Sequence, residues 1–249
     1  MGISRRLKEL ALIAARDVSV LDVRIGLRYT AVLLDNGQVG LAFTFHRDSM
    51  GGSSALKDLT PLAGKKASEL LALFGSTKKV ESAVALATAN ALSNTTKEGL
   101  VEGDVLEHLR LSPNDRVGMV GYFAPMVSTL QRRASSLKIF EQIDGPEGDL
   151  LPEREAYKHL PNCQVVLITS TSIVNHTIDS ILDAANSCRE VALLGASTPL
   201  LSEAFAETPV TLLSGVVVTR PQEIMRIVSE GGGMRVFKNY ISKVNLRLN

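Results

Sequence analysis

Residues 165–200 read VVLITSTSIVNHTIDSILDAANSCREVALLGASTPL, and this stretch decides the fold. Val165–Ile168 is a short, continuously apolar run, as a strand buried on both faces requires. Ser170-Thr171-Ser172 ends it in hydroxyls, and the pattern then turns helical from about 174 to 187. A second apolar run, Val191–Leu194, ends in Gly195-Ala196-Ser197-Thr198-Pro199. Strand, polar tip, helix, strand, polar tip is the repeat of a parallel sheet with crossover helices.

The same alternation extends in both directions. Val117–Val120 and Lys138–Phe140 precede the stretch, and Val210–Val218 follows it. Helical patterns fall near 124–133, 152–159, 200–206 and 221–230. Right-handed crossovers make this a doubly wound, Rossmann-like sheet, whose ligand crevice lies beyond the carboxyl ends of the strands. That rule selects Gly121, Tyr122 and Phe123 after the first strand and Glu141 after the second. Ser170, Thr171 and Ser172 follow at the third, Gly195, Ala196, Ser197, Thr198 and Pro199 at the fourth, and Gly215 lies in the fifth.

Two of these tips carry further signals. Gly118-x-x-Gly121-x-x-Ala124 is only loosely a dinucleotide fingerprint, because Tyr122, Phe123 and Pro125 occupy the turn where glycine would admit a pyrophosphate. Glu141 stands about 20 residues on, where an acidic group meets a ribose hydroxyl. Ser170 through Thr177, including Asn175 and His176, is more polar than a helix cap needs, and free N–H groups at a helix start favour anions. Gly231-Gly232-Gly233 reads as a helix-ending glycine run, a hinge or a close backbone approach.

The first part of the chain has another grammar. Ile3, Leu7, Leu10 and Ala14 recur at helical spacing over 3–16. Three strands follow at 18–25, 27–34 and 39–45, with Asn36-Gly37 as a hairpin turn between the last two. Residues 46–64 are rich in glycine and serine and read as a surface connection or a functional loop. Helices are expected at Ala67–Phe74 and Val80–Leu92. Asn90 lies beside the apolar stripe of the second, so its amide either pins neighbouring backbone or faces a ligand. The polar stretch 94–111 reads as the connection between an α+β domain, 1–98, and the Rossmann-like domain, 99–249.

Composition excludes several functions. The chain carries 27 basic and 26 acidic residues, scattered rather than clustered, which argues against a nucleic-acid partner. No apolar run approaches the roughly 20 residues of a membrane span, and the N-terminus lacks the continuous apolar core of a signal peptide. Two cysteines, Cys163 and Cys188, without a CxxC, point to a reducing, cytoplasmic location. The four histidines show no HxxxH, HxH or HExxH spacing, so a metal cage built from protein alone is not expected. No nucleophile elbow is present. Glu141 and His176 are the candidate catalytic residues, an acid–base pair should the crevice bring them together.

In order along the chain, several short pieces carry a family resemblance. They are Leu62-Ala63-Gly64, Glu69-Leu70-Leu71 and Ala87 through Leu92, then Val120 through Phe123, Glu141, Thr169 through Thr177, Gly195 through Leu200, Gly215 and Glu230 through Gly233. Together they resemble the family described as "putative heavy-metal chelation". The resemblance implies an N-terminal domain similar to the enolase N-terminal fold, a Rossmann-like C-terminal domain, and a site between them where Asn90 faces the rim residues. Thr169-Ser170 stands where that family has Thr-Gly, and Gly195-Ala196 where it has Gly-Pro. The expected function is therefore binding of a small molecule in the interdomain cleft, with or without catalysis, linked to heavy-metal chelation or to a metal-chelating compound. The cofactor stays open between a metal ion and a nucleotide-like ligand. The alternative is a regulatory or scaffold protein that keeps the frame without chemistry, and assembly into homo-oligomers is open under either.

Overall fold

The computed structural model describes residues 1–45, 56 and 59–248. Most of the 46–64 connection, including His46, lies outside the described residues.

Helix α1 (Ile3–Ala14) buries Ile3, Leu7 and Ala11 along one stripe. Its first free N–H, on Ile3, donates to the Asp179 carboxylate at 2.9 Å, an acid placed at the positive end of the helix. Strands β1 (Val20–Ile25), β2 (Tyr29–Leu34) and β3 (Val39–Phe43) form an antiparallel sheet in that order. The Asn36-Gly37 turn closes the β2–β3 hairpin with Gly37 at φ +83°, a left-handed backbone that glycine takes at little steric cost. After α2 (Ala67–Leu71) comes α3 (Lys79–Ser93), with both faces buried. A single apolar stripe is the pattern of a helix at a surface, whereas α3 is enclosed, and its alanines let strands approach closely.

The second sheet has eight strands in the order β7-β6-β5-β8-β9-β10-β11-β4. From β7 (Leu150–Pro152) through β6 (Ser136–Glu141), β5 (Arg116–Val120), β8 (Val165–Thr169) and β9 (Glu190–Leu194) to β10 (Leu212–Val218), every pairing is parallel. Strand β8 shows why these runs are continuously apolar. Val165 and Leu167 join the cluster under α5 (Ala124–Arg133), while Val166 and Ile168 join the one under α3 and α8 (Ile178–Ala184).

Several sequence expectations are corrected. The 94–111 stretch, expected to carry a short helix at most, holds one in α4 (Val105–His108), capped by the Asp104 carboxylate, and also forms β4 (Leu100–Glu102), the edge strand. The C-terminal residues Ile241–Arg247 form β11, antiparallel to both β10 and β4. The expected helix at 200–206 is a short 3-10 turn, Ser202–Phe205. The one at 152–159 is a 3-10 turn, Glu153–Glu155, followed by α6 (Ala156–His159). The one at 174–187 is broken into α7 (Thr171–Val174) and α8, because His176 turns the chain at φ +64°.

The small sheet sits between α3 and α9 (Pro221–Ser229). Val32, Leu34 and Ala42 face the large core with α3, while Ala31, Leu33, Val39 and Leu41 pack on Ile224, Ile227 and Val228 of α9. Polar ties join β3 directly to the tip of β9. The Phe43 N–H donates to Ser197 Oγ at 2.8 Å, and Asn90 Nδ2 donates to the carbonyls of Leu41 and Ser197 at 2.7 and 3.1 Å.

Candidate functional site

The chain leaves β5 outward through β6 and β7 and returns to β8 on the other flank of β5. At such a reversal the two crossovers diverge and leave a crevice at the carboxyl ends. A cavity of about 390 Å³ lies there, within the roughly 300–1,000 Å³ of small-molecule sites. One wall is the tips of the large sheet: Gly121, Tyr122 and Phe123 after β5, Glu141 and Gln142 after β6, and Thr169, Thr171, Ser172 and Asn175 after β8. The facing wall comes from the small sheet, with Arg28 before β2 and Phe43 and Phe45 at the end of β3; Glu153 completes the rim.

Gly121 takes φ +89°, and a Cβ there would lie 2.8 Å from the Thr169 side chain. Its missing side chain therefore lets the β5 and β8 tips close on each other. Glu141 turns back toward β5: Oε2 accepts the Tyr122 N–H at 2.8 Å and Oε1 accepts the Gln142 N–H at 2.9 Å. Each carboxylate oxygen has a further lone pair for a ligand. Thr169 and Thr171 share a hydroxyl hydrogen bond of 3.0 Å, and the Ser172 hydroxyl donates to the Thr169 carbonyl at 2.6 Å. Across the cavity Phe43 packs edge-to-face on Tyr29 and on Phe45, with centroids 5.8 and 5.2 Å apart. Burial pushes the Tyr29 phenol up to about 12, partly offset by the positive charge of Arg28.

The structure divides the sequence-selected residues into groups. Gly121, Tyr122, Phe123, Glu141, Thr169, Thr171 and Asn175 line the cavity together. Asn90, Ser170, Ser197, Thr198, Pro199 and Gly215 are buried at the junction between α3 and the β8, β9 and β10 tips. There Gly195 is the close approach, since a Cβ on it would meet Ser170 Oγ at 3.0 Å. Asn94 shares this bonding, donating to the carbonyls of Thr198 and Val216 and accepting the Leu200 N–H. Thr177 donates both its N–H and its hydroxyl to the Asn175 side-chain oxygen, at 3.2 and 2.9 Å. The His176 ring donates from Nε2 to the Ser76 carbonyl at 2.9 Å, at the approach to α3. It is not part of the cavity wall and makes no hydrogen bond to Glu141, so the structure does not assemble them as an acid–base pair.

Sequence reasoning missed Arg28, Phe43, Phe45, Gln142 and Glu153. Phe43 and Phe45 read as core positions of an alternating strand, and their place at its open end was the available signal. Nothing local marked Arg28 or Glu153, because they reach the cavity through the packing of two sheets.

The donor set does not suit a heavy metal held by protein alone. Among the described residues no three His, Cys, Asp or Glu side chains gather at ligand distance. Both cysteines are buried thiols donating to the carbonyls of His159 and Leu160. Burial raises both, Cys188 to about 11, which disfavours the thiolate that soft metals need. No helix among the described residues is long and apolar enough to cross a membrane.

The fold and sequence have clear relatives. An uncharacterized protein of Methanocaldococcus jannaschii is 25% identical over 243 residues, covering 93% of this chain and 91% of the relative. The crystal structure of a protein of unknown function from the DUF364 family of Pyrococcus horikoshii superposes with a TM-score of 0.87. It has 24% identity and covers 99% of this chain and 100% of that one. A DUF364 family protein of Desulfitobacterium hafniense, also of unknown function, gives a TM-score of 0.81 with 24% identity and 98% coverage of each chain. These two structures share the fold. Two family models, both described as "Putative heavy-metal chelation", match residues 8–93 and 104–247. The second spans more than half of the chain, so this protein belongs to the family described by those words.

Proposed function

We propose that this protein binds a small organic molecule in the crevice at the reversal between β5 and β8, with the small sheet as its second wall. One observation carries the reading: Arg28, Phe43 and Phe45 from one sheet and Gly121, Glu141 and Thr169 from the other line a single cavity. Aromatic walls with a few placed polar groups are the usual makeup of a small-molecule site. The described residues offer no soft-ligand cage, so a heavy metal would reach this site as cargo inside an organic chelator. A nucleotide-like ligand is the other chemistry the walls suit.

A thermal-shift panel tests the reading. It contains divalent metals alone, the same metals in carboxylate-bearing chelators, nucleotides and S-adenosylmethionine. A true ligand at 100 times its Kd adds about 2.7 kcal/mol and raises Tm by several degrees. The expected outcome is a shift with an organic ligand or a chelate, lost in Glu141→Gln or Phe43→Ala, and no comparable shift with bare metals. A panel without hits, or a hit indifferent to both variants, contradicts the proposal.

A further inference from the structure

We infer that the ligand of this crevice is an anionic nucleoside derivative, a mononucleotide in chemical class, whose anionic group is recognised by Arg28 rather than by a helix start. The inference rests on the crevice reading and adds the polarity of its occupant.

In a dinucleotide fold a glycine after the first strand lets a pyrophosphate approach the N–H groups of the following helix. Here that arrangement is dismantled. Gly121 is taken up by Thr169, with no room for a Cβ between them, so its freedom serves strand packing. At the start of α5 the Pro125 nitrogen carries no hydrogen, and the Met126 N–H already donates to the Phe123 carbonyl at 2.9 Å. Little of that helix start is left for an anion.

The positive charge of the cavity comes instead from the opposite wall. Arg28 is exposed and lines the cavity, and among the described residues its guanidinium has no carboxylate or other hydrogen-bond partner. A guanidinium presents a planar set of donors that fits carboxylate and phosphate oxygens in pairs. On the sheet side, Glu141 is oriented by two backbone N–H bonds at the end of the second strand, where a carboxylate accepts from a vicinal diol. Phe43, Phe45, Tyr122 and Phe123 line the same cavity and supply flat apolar surface for a base. Anion, flat ring and diol together describe a nucleotide.

Isothermal titration with adenosine, AMP and 2′-deoxy-AMP tests this, on the full chain and on Arg28→Ala and Glu141→Gln. AMP should bind at least 10-fold more tightly than adenosine, with the advantage shrinking as salt rises. Arg28→Ala should bring AMP down to the adenosine level and leave adenosine unchanged. Glu141→Gln should weaken AMP and erase its preference over 2′-deoxy-AMP. Equal binding of adenosine and AMP, or a phosphate advantage that survives Arg28→Ala, overturns the assignment to Arg28. Binding by none of the three overturns the nucleotide class, and a chelate hit in the thermal panel would then still support the crevice.

Discussion

Tyr29 ties the cavity wall to the core behind it. Its ring meets Phe43 on one side and Phe237 on the other, with centroids 5.8 and 5.1 Å apart, and burial holds its phenol near 12 against an ordinary 10.0. A folded-state pKa above the unfolded one means that the native protein holds this proton more tightly. The associated stability is complete below about pH 10 and is lost as the pH rises toward 12. The loss should reach about 1 kcal/mol by pH 11 and about 3 kcal/mol beyond pH 12. Denaturant unfolding of the protein and of Tyr29→Phe from pH 8 to 11 checks this: the variant lacks that decline, and parallel curves would refute it. Asn90 shows what single residues disclosed in advance. An amide beside an apolar stripe needs partners, and its Nδ2 donates to the carbonyls of Leu41 and Ser197 while its Oδ1 has none among the described residues. That it pins backbone instead of lining the cavity depends on where β3 and β9 meet, which no local pattern encodes.

Helix α3 and strand β3 make a very close contact. A Cβ on Gly40 would lie 2.1 Å from both the Ala87 carbonyl oxygen and the Ala91 nitrogen, so strand and helix touch backbone to backbone. Gly40→Ala must push the two apart. A cost of about 3 kcal/mol or more is expected, since overpacking against a backbone cannot be relieved by a rotamer change. Urea unfolding measures it, and a change below 1 kcal/mol would show that the contact is looser than described. Nothing local marks Gly40 within the expected 39–45 strand, because the helix it touches is distant in sequence. Strands β5, β8 and β9 were legible because both faces are covered, which makes their inner residues continuously apolar. Strands β4 and β7, three residues each, are too short to show a period. In β11 the buried Val244 sits beside Lys243 and the buried Asn245, a mixture that hides the strand until its partner β10 is known.

At the scale of the whole molecule, two sheets with different sequence patterns share a buried junction and an open crevice. The junction is polar and partly bonded: Asn90, Asn94 and Ser197 link α3 and β3 to the tips of β9 and β10, while Asn90 Oδ1, Ser170 Oγ and Thr198 Oγ1 are buried with no hydrogen-bond partner among the described residues. The crevice lies to one side, over β5, β6 and β8, where Arg28, Phe43 and Phe45 face the tips across about 390 Å³. The strand-end rule was enough to place six residues of the sheet-side wall, and the polar run that follows the third strand added Asn175. The opposite wall required the docked position of the small sheet, and the rule could not separate tips that open into the crevice from those sealed under α3. The most direct test is a crystal structure of the protein soaked with the strongest ligand of the thermal panel. The account predicts density for that compound between Phe43 and the Gly121 turn, within hydrogen-bond reach of Arg28 and Glu141. Density for it elsewhere on the molecule, with the crevice holding only solvent, would contradict the account.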